Sequence, residues 1–330
     1  MYFPFSFLFF FFLFFGSLLS LSSSYWLCIW LGLELNLMSF IPLVISVGSF
    51  QEVESTIKYF VVQALGSGFF LFGGFFNSYY FSIWGDSFFF SFFFFFVFFG
   101  LFLKLGVAPF HFWLVSVMGG LSWFGCLILS VWQKLAPIFL LFWFFSSSFF
   151  LIFIFFSIFS CFVGGLGGIN QVQLRFLMAY SSINHIGWML SLVSISFFAV
   201  FSYFFIYCLI SFFIFFCFWY LGFFRLSGIY SIRDYFFIGF FIIFGFFSLA
   251  GIPPFFGFLS KWIAIQELVF SGLLYVSVFL ILGSLFSLLF YFGVIFSFFF
   301  FLNFFGFGNS FFSSHFFLFF FSFLFFGIMF

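Results

Sequence analysis

KLGVAPFHFW, Lys104–Trp113, places a charged amine, a helix-breaking proline and a histidine in the middle of an apolar segment running from Phe88 to Gly119. A bilayer's hydrocarbon core is crossed by ~20 residues of helix. A lysine inside such a segment is expensive and marks a functional site by default. Pro109 removes one backbone hydrogen bond, and non-helical backbone at that depth survives only where protein or a water-filled cavity covers it. The stretch therefore predicts a discontinuous helix built around a buried base.

The flanking sequence sets the fold class. The 330 residues are 67% hydrophobic and only 4% charged, against about 25% charged in a soluble domain. Such a chain presents no solvated surface, so it reads as an all-α, polytopic integral membrane protein. A transmembrane β-barrel is excluded by the long unbroken apolar runs, because barrel strands alternate. The 90 phenylalanines occur in runs such as Phe92–Phe96 without periodicity. They read as substitutes for Leu and Ile where lipid is the only neighbour, rather than as the lining of a cofactor channel. Cys28, Cys126, Cys161, Cys208 and Cys217 show no metal spacing and read as small buried apolar residues. No iron–sulfur, haem, zinc or dinucleotide motif is present. Gly164-Gly165-Leu166-Gly167-Gly168 follows no strand and precedes no lysine, so it reads as a turn between spans. The opening Met1-Tyr2-Phe3-Pro4 lacks a basic region, so neither a cleaved signal nor a transit peptide is expected.

Polar, Gly and Pro breaks divide the chain into about eleven spans: 3–21, 25–48, 56–76, 88–119, 122–145, 149–163, 175–194, 197–221, 235–270, 273–301 and 311–330. Lys58, Arg175, Arg225 and Arg233 then fall at span ends on the side of the N-terminus. The positive-inside rule puts that side in the cytoplasm or the mitochondrial matrix. The fourth span is broken at Pro109, and the ninth, fourth of the next five, at Pro253-Pro254. Five is odd, so consecutive five-helix units enter the membrane from opposite sides. This predicts two inverted repeats with broken helices 4 and 9. Such interrupted segments are the best sequence pointer to a transport site. The expected division is residues 1–145, residues 146–301 and a C-terminal helix in 302–330.

Buried ionisable groups follow the repeat. Glu34 in helix 2, Lys104 in helix 4 and Lys134 in helix 5 belong to the first unit. His185 in helix 7 and Lys261 in helix 9 belong to the second. Burial penalises the charged form and an opposite charge restores it, so a lysine whose carboxylate partner approaches and withdraws is a proton switch. Joined by water, these groups would form a relay across mid-membrane. The plainer alternatives are a static Glu34–Lys104 ion pair, a snorkelling Lys134, a His111 that only satisfies carbonyls freed by the break, and a His185 that only bonds between helices. Asp86, Glu52 and Glu54 read as solvated loop charges, Asp234 with Arg233 as a surface pair, and His315 as interfacial. Glu267 reads either as a partner of Lys261 or as an interfacial group.

KLGVAPFHFW (104–113), SVWQKLAP (130–137), AYSSINHIGWM (179–189), GIPPFFGFLSKW (251–262), LGLELN (31–36) and ESTIKYFVVQA (54–64) together resemble the chain 2 family of mitochondrial NADH–ubiquinone oxidoreductase. These are antiporter-like subunits in the membrane arm of respiratory complex I. The resemblance implies a fold of two five-helix units, a role in proton translocation and a place in the mitochondrial inner membrane. It carries the family's glutamate onto Glu34 and its lysines onto Lys104, Lys134 and Lys261. It implies no redox centre here, with NADH, FMN, iron–sulfur clusters and ubiquinone in partner subunits, and other membrane-arm subunits and lipids as partners. One departure is Leu114-Val115-Ser116-Val117, where the family often carries Pro-Glu. A self-standing cation/proton antiporter and a structural spacer that moves no protons are the alternatives.

Overall fold

The structure is a computed structural model, and it describes residues 5–45, 48–83, 87–222 and 236–304. The expected span at 311–330, His315, Asp86, Arg225, Arg233 and Asp234 lie outside the described residues, which contain helices and no strand. In order these are α1 (Phe5–Ser22), α2 (Trp26–Ile45), α3 (Phe50–Ile83), α4 (Ser87–Leu105), α5 (Phe112–Gly120), α6 (Trp123–Leu127), a π-helical segment (Ile128–Trp132), α7 (Gln133–Phe144), a 3-10 turn (Ser147–Phe149), α8 (Phe150–Gly168), α9 (Leu174–Val193), α10 (Phe197–Leu221), α11 (Phe236–Ala250), α12 (Phe256–Phe270) and α13 (Leu274–Phe304). Seven of the described helical stretches are long and apolar enough to cross a membrane, with shorter apolar helices at Phe92–Leu105 and Ile238–Ala250. The expected breaks are present, between α4 and α5 and between α11 and α12. Helix is the solution because a chain this apolar must satisfy its backbone groups internally. Serines fit the same rule: Ser17, Ser39, Ser181 and Ser182 donate to carbonyls one turn back.

The chain forms two compact units, Met1–Phe156 and Ser157–Phe330; the sequence-based division falls slightly earlier, at 145/146. In the first unit α3 packs against α2, α4 and α5, while α1 and α4 pack against α7. The α1–α2 crossing is tight: a Cβ on Gly32 would lie 2.6 Å from both the Gly16 carbonyl oxygen and the Ser20 nitrogen. In the second unit α10 packs against α9, α11 and α12, and α13 closes on α9, α11 and α12. There Gly187 of α9 makes the equivalent crossing, with a Cβ 2.8 Å from the Ser157 carbonyl oxygen and 2.9 Å from the Cys161 nitrogen.

Three expectations are corrected. Helix 3 begins at Phe50, not Thr56, and runs to Ile83. Glu52 is accordingly no solvated loop charge: it is 4% exposed. Its Oε2 accepts from the Ser49 N–H at 3.3 Å, and its own N–H donates to Ser49 Oγ at 3.3 Å. That reciprocal pair is a capping box, which starts the helix earlier than polarity suggests. Glu54 pairs with Lys58 at 2.6 Å, both half-exposed. The glycines at 164–168 form no turn; they lie inside α8. A Cβ on Gly164 would sit 2.8 Å from the Asn184 Cα, the close approach that small residues permit between membrane helices. Finally, the fifth span is not one α-helix, because the π-helical segment separates α6 from α7 just before Lys134.

Candidate functional site

The two breaks share one backbone design. In the first, Gly106 has φ +72°, its N–H donates to the Leu103 carbonyl at 3.2 Å, and the Val107 N–H donates to the Phe102 carbonyl at 3.1 Å. In the second, Gly251 has φ +76°, with Gly251 N–H donating to Ser248 at 3.1 Å and Ile252 N–H to Phe247 at 3.4 Å. This is the Schellman ending, which needs a left-handed residue and so takes glycine. A further turn follows in each, Phe110 N–H to Val107 and Phe255 N–H to Ile252. Pro109 and Pro254 thus occupy the same step past the glycine and keep the helix from resuming.

The charges sit differently about these matched ends. Lys104 lies on α4, before its break; Lys261 lies on α12, after its break. Both are 7% exposed. In the first unit the freed carbonyls take neutral donors: the Trp113 indole N–H bonds the Leu103 oxygen at 3.0 Å, and the Gln63 amide bonds the Lys104 backbone oxygen at 3.3 Å. The Lys104 side chain is left to Glu34, whose charge it feels across a gap. Among the described residues no ion pair within 4.0 Å joins the two. Tyr59, 2% exposed, also lies within electrostatic reach of Glu34. Glu34 itself lines an open groove of about 640 Å³ between α2 and α3, with Trp30, Met38, Ala64 and Ser67 among its neighbours.

Lys134 is 2% exposed. Its neighbour Gln133 donates to the Asn36 side-chain oxygen at 3.0 Å, tying α7 to α2. His111, 7% exposed, turns Nδ1 to the Pro109 carbonyl at 3.2 Å, the backbone-satisfying role weighed from the sequence.

In the second unit His185 is 5% exposed, with Nδ1 2.9 Å from the Tyr203 hydroxyl and its ring 5.0 Å from that of Tyr207. Cys161 donates to the Asn184 side-chain oxygen at 2.7 Å and lies within electrostatic reach of Lys261. Lys261 donates to the Ala250 carbonyl at 2.6 Å; among the described residues it forms no ion pair with Glu267. Relative to the tight crossings, Glu34 stands two residues after Gly32 on α2 and His185 two residues before Gly187 on α9.

Sequence reasoning missed Tyr59, Gln63, Asn184 and Tyr203. Tyr59 and Gln63 are four residues apart on α3 and share its inner face, a signal present within ESTIKYFVVQA; Asn184 adjoins His185. Tyr203 sits in a run of aromatic residues that gives no such mark.

Apolar helices broken in the same way, each break carrying a buried lysine, define a transporter-like membrane protein. The chain belongs to the NADH:quinone oxidoreductase/Mrp antiporter transmembrane family, whose model matches residues 23–287. It is similar to NADH-ubiquinone oxidoreductase chain 2 of Anopheles gambiae, 40% identical over 84% of this chain and 81% of the relative. The same-named protein of Locusta migratoria is 36% identical over 84% and 80%. Its fold matches a chain of respiratory complex I from Thermus thermophilus with TM-score 0.80 at 24% identity, over 88% of this chain and 70% of that one.

Proposed function

We propose that this chain is the proton-translocating membrane subunit of a mitochondrial NADH–ubiquinone oxidoreductase. Electron transfer in partner subunits is coupled here to proton movement through Glu34, Lys104, Lys134, His185 and Lys261. The observation that carries this reading is the gapped pair: the charge of Glu34 reaches Lys104, yet among the described residues no ion pair within 4.0 Å joins them. A static lock would close that gap, since a buried charge is costly unless directly paired. A switch needs the gap, because the carboxylate must approach and withdraw.

The finer architecture follows the same reading: about eleven spans in the inner membrane, two inverted five-helix repeats and an N-terminus facing the matrix. The family membership and the paired glycine–proline breaks support it. This subunit binds no redox group in our reading; NADH, FMN, iron–sulfur clusters and ubiquinone belong to partners, which include the other membrane-arm subunits. The complex as a whole is the enzyme.

The test is made on the assembled complex in sealed membranes. Lys104→Met and Glu34→Gln leave assembly and NADH oxidation in place while fewer protons move per NADH. Full pumping in both variants overturns the reading. A self-standing antiporter is the alternative raised by the family's second namesake. Mild-detergent extraction separates the two: co-migration with NADH oxidation supports the complex, a small homo-oligomer the antiporter.

A further inference from the structure

Unit 2 poses a question that the gapped pair of unit 1 does not answer. Lys261 is buried in an apolar unit, and among the described residues no carboxylate forms an ion pair with it. Its ammonium instead meets the end of α11. Nζ donates to the Ala250 carbonyl at 2.6 Å, one of the groups that a Schellman ending leaves unsatisfied. A helix C-terminus carries partial negative charge and favours a cation, and the ends of broken helices serve as cation seats in transporters.

The fit is close. The lysine stem lies across Gly251, where a Cβ would stand 2.7 Å from Cδ, 3.0 Å from Cε and 3.0 Å from Nζ. Gly251 is thus fixed twice, by its φ of +76° and by the side chain above it. The matched position in unit 1 has no such occupant. A Cβ on Gly106 would meet Leu114 and Trp113 instead, and the neutral Gln63 amide covers the nearby orphan carbonyl. The same break has been capped with a neutral donor in one unit and with the lysine itself in the other.

We propose that the C-terminal carbonyl of α11 is the seat of the Lys261 ammonium, so that this proton is held by a broken helix end and released when the Gly251–Pro254 break opens. The step is a proton transfer alone: Nζ loses one proton to water admitted at the break, leaving a neutral amine and a hydronium ion. Gly251 is a positioning residue for that step. The idea rests on the proton-translocation reading above and adds a second kind of switch to it, mechanical where the first is ionic.

The experiment uses the assembled complex in sealed membranes, with protons moved per NADH oxidised as the readout. Gly251→Ala retains every charge but pushes the lysine off the carbonyl. The expected result is an assembled complex that moves fewer protons per NADH, because Lys261 without its carbonyl loads a proton roughly tenfold less favourably, the scale of one lost hydrogen bond to a charged group. An assembled Gly251→Ala complex that pumps normally overturns the seat. Should that variant fail to assemble, melting of Lys261→Gln is compared with Lys261→Met. The glutamine still donates to Ala250 and melts higher; equal melting overturns the seat. Lys104→Met is the control on the underlying reading. Normal pumping in Lys104→Met and Glu34→Gln alike sinks proton translocation itself, whereas impaired Lys104→Met beside normal Gly251→Ala removes only the seat.

Discussion

Glu34 lines the α2–α3 groove and lies within electrostatic reach of Lys104 and Tyr59. Removing the Tyr59 hydroxyl tests whether that phenol helps hold the glutamate. Tyr59→Phe should assemble normally, because the ring still packs against Phe40 and Trp113, and should lower protons per NADH by less than Glu34→Gln does. At the start of α3, Ser49→Ala removes one arm of the capping box at a cost of about 1 kcal/mol. Hydrogen exchange of the Glu52 amide should then quicken about fivefold. Residues of this kind differed in how far their own sequence announced them. Lys104, Lys134 and Lys261 stood out because charge within an apolar run has no structural use. Glu52 did not, because a polar tetrapeptide after an apolar span looks alike whether it is a loop or a helix start. The S-x-x-E spacing at 49–52 was the available clue.

Helix crossings put glycine to two opposite uses. At Gly32 the neighbouring backbone lies within 2.6 Å of where a Cβ would stand, whereas at Gly293 of α13 nothing lies within 4 Å. Gly32→Ala should therefore overpack the α1–α2 crossing by about 1–3 kcal/mol and lower the yield of assembled complex on native gels. Gly293→Ala should leave that yield unchanged. The breaks were legible as elements because glycine and proline recur together inside an apolar run, Gly106 with Pro109 and Gly251 with Pro254, whereas Pro42 and Pro137 stand inside continuous helices. The glycines of α8 were not, since a glycine cluster reads equally as a turn or as a contact surface until its neighbour is known. Phe92–Phe96 is the complementary case. The run has no periodicity of type, yet Phe93 and Phe94 are 8% exposed while Phe92 is 54% and Phe95 42% exposed. Helix geometry imposes the sidedness that composition hides.

Across the whole chain, phenylalanine serves both environments. Phe40, Phe70 and Phe98 fill the interior, while Phe7, Phe11 and Phe198 stand on the outside. The reading of Phe as a lipid-side filler accounts for the second group; the first builds edge-on ring contacts such as Phe98 with Phe149 and Phe153, each worth roughly 1 kcal/mol beyond burial. Phe11→Leu and Phe198→Leu should change neither assembly nor proton yield, whereas Phe98→Leu should lower the melting temperature of the complex. Class and family were plain from composition and motifs at this scale. The capping of each break was not, because it depends on which distant side chain reaches which carbonyl.

The π-helical segment Ile128–Trp132 ends one residue short of the Gln133-Lys134 pair. A π turn is one residue in surplus over an α turn, and each residue of helix advances the next side chain by about 100°. The wide turn absorbs that surplus residue, so winding the same residues as a smooth, regular α-helix would rotate Lys134 away from the interior by about 100° and carry Gln133 out of reach of Asn36. The width of one turn thereby sets which way the lysine beyond it points.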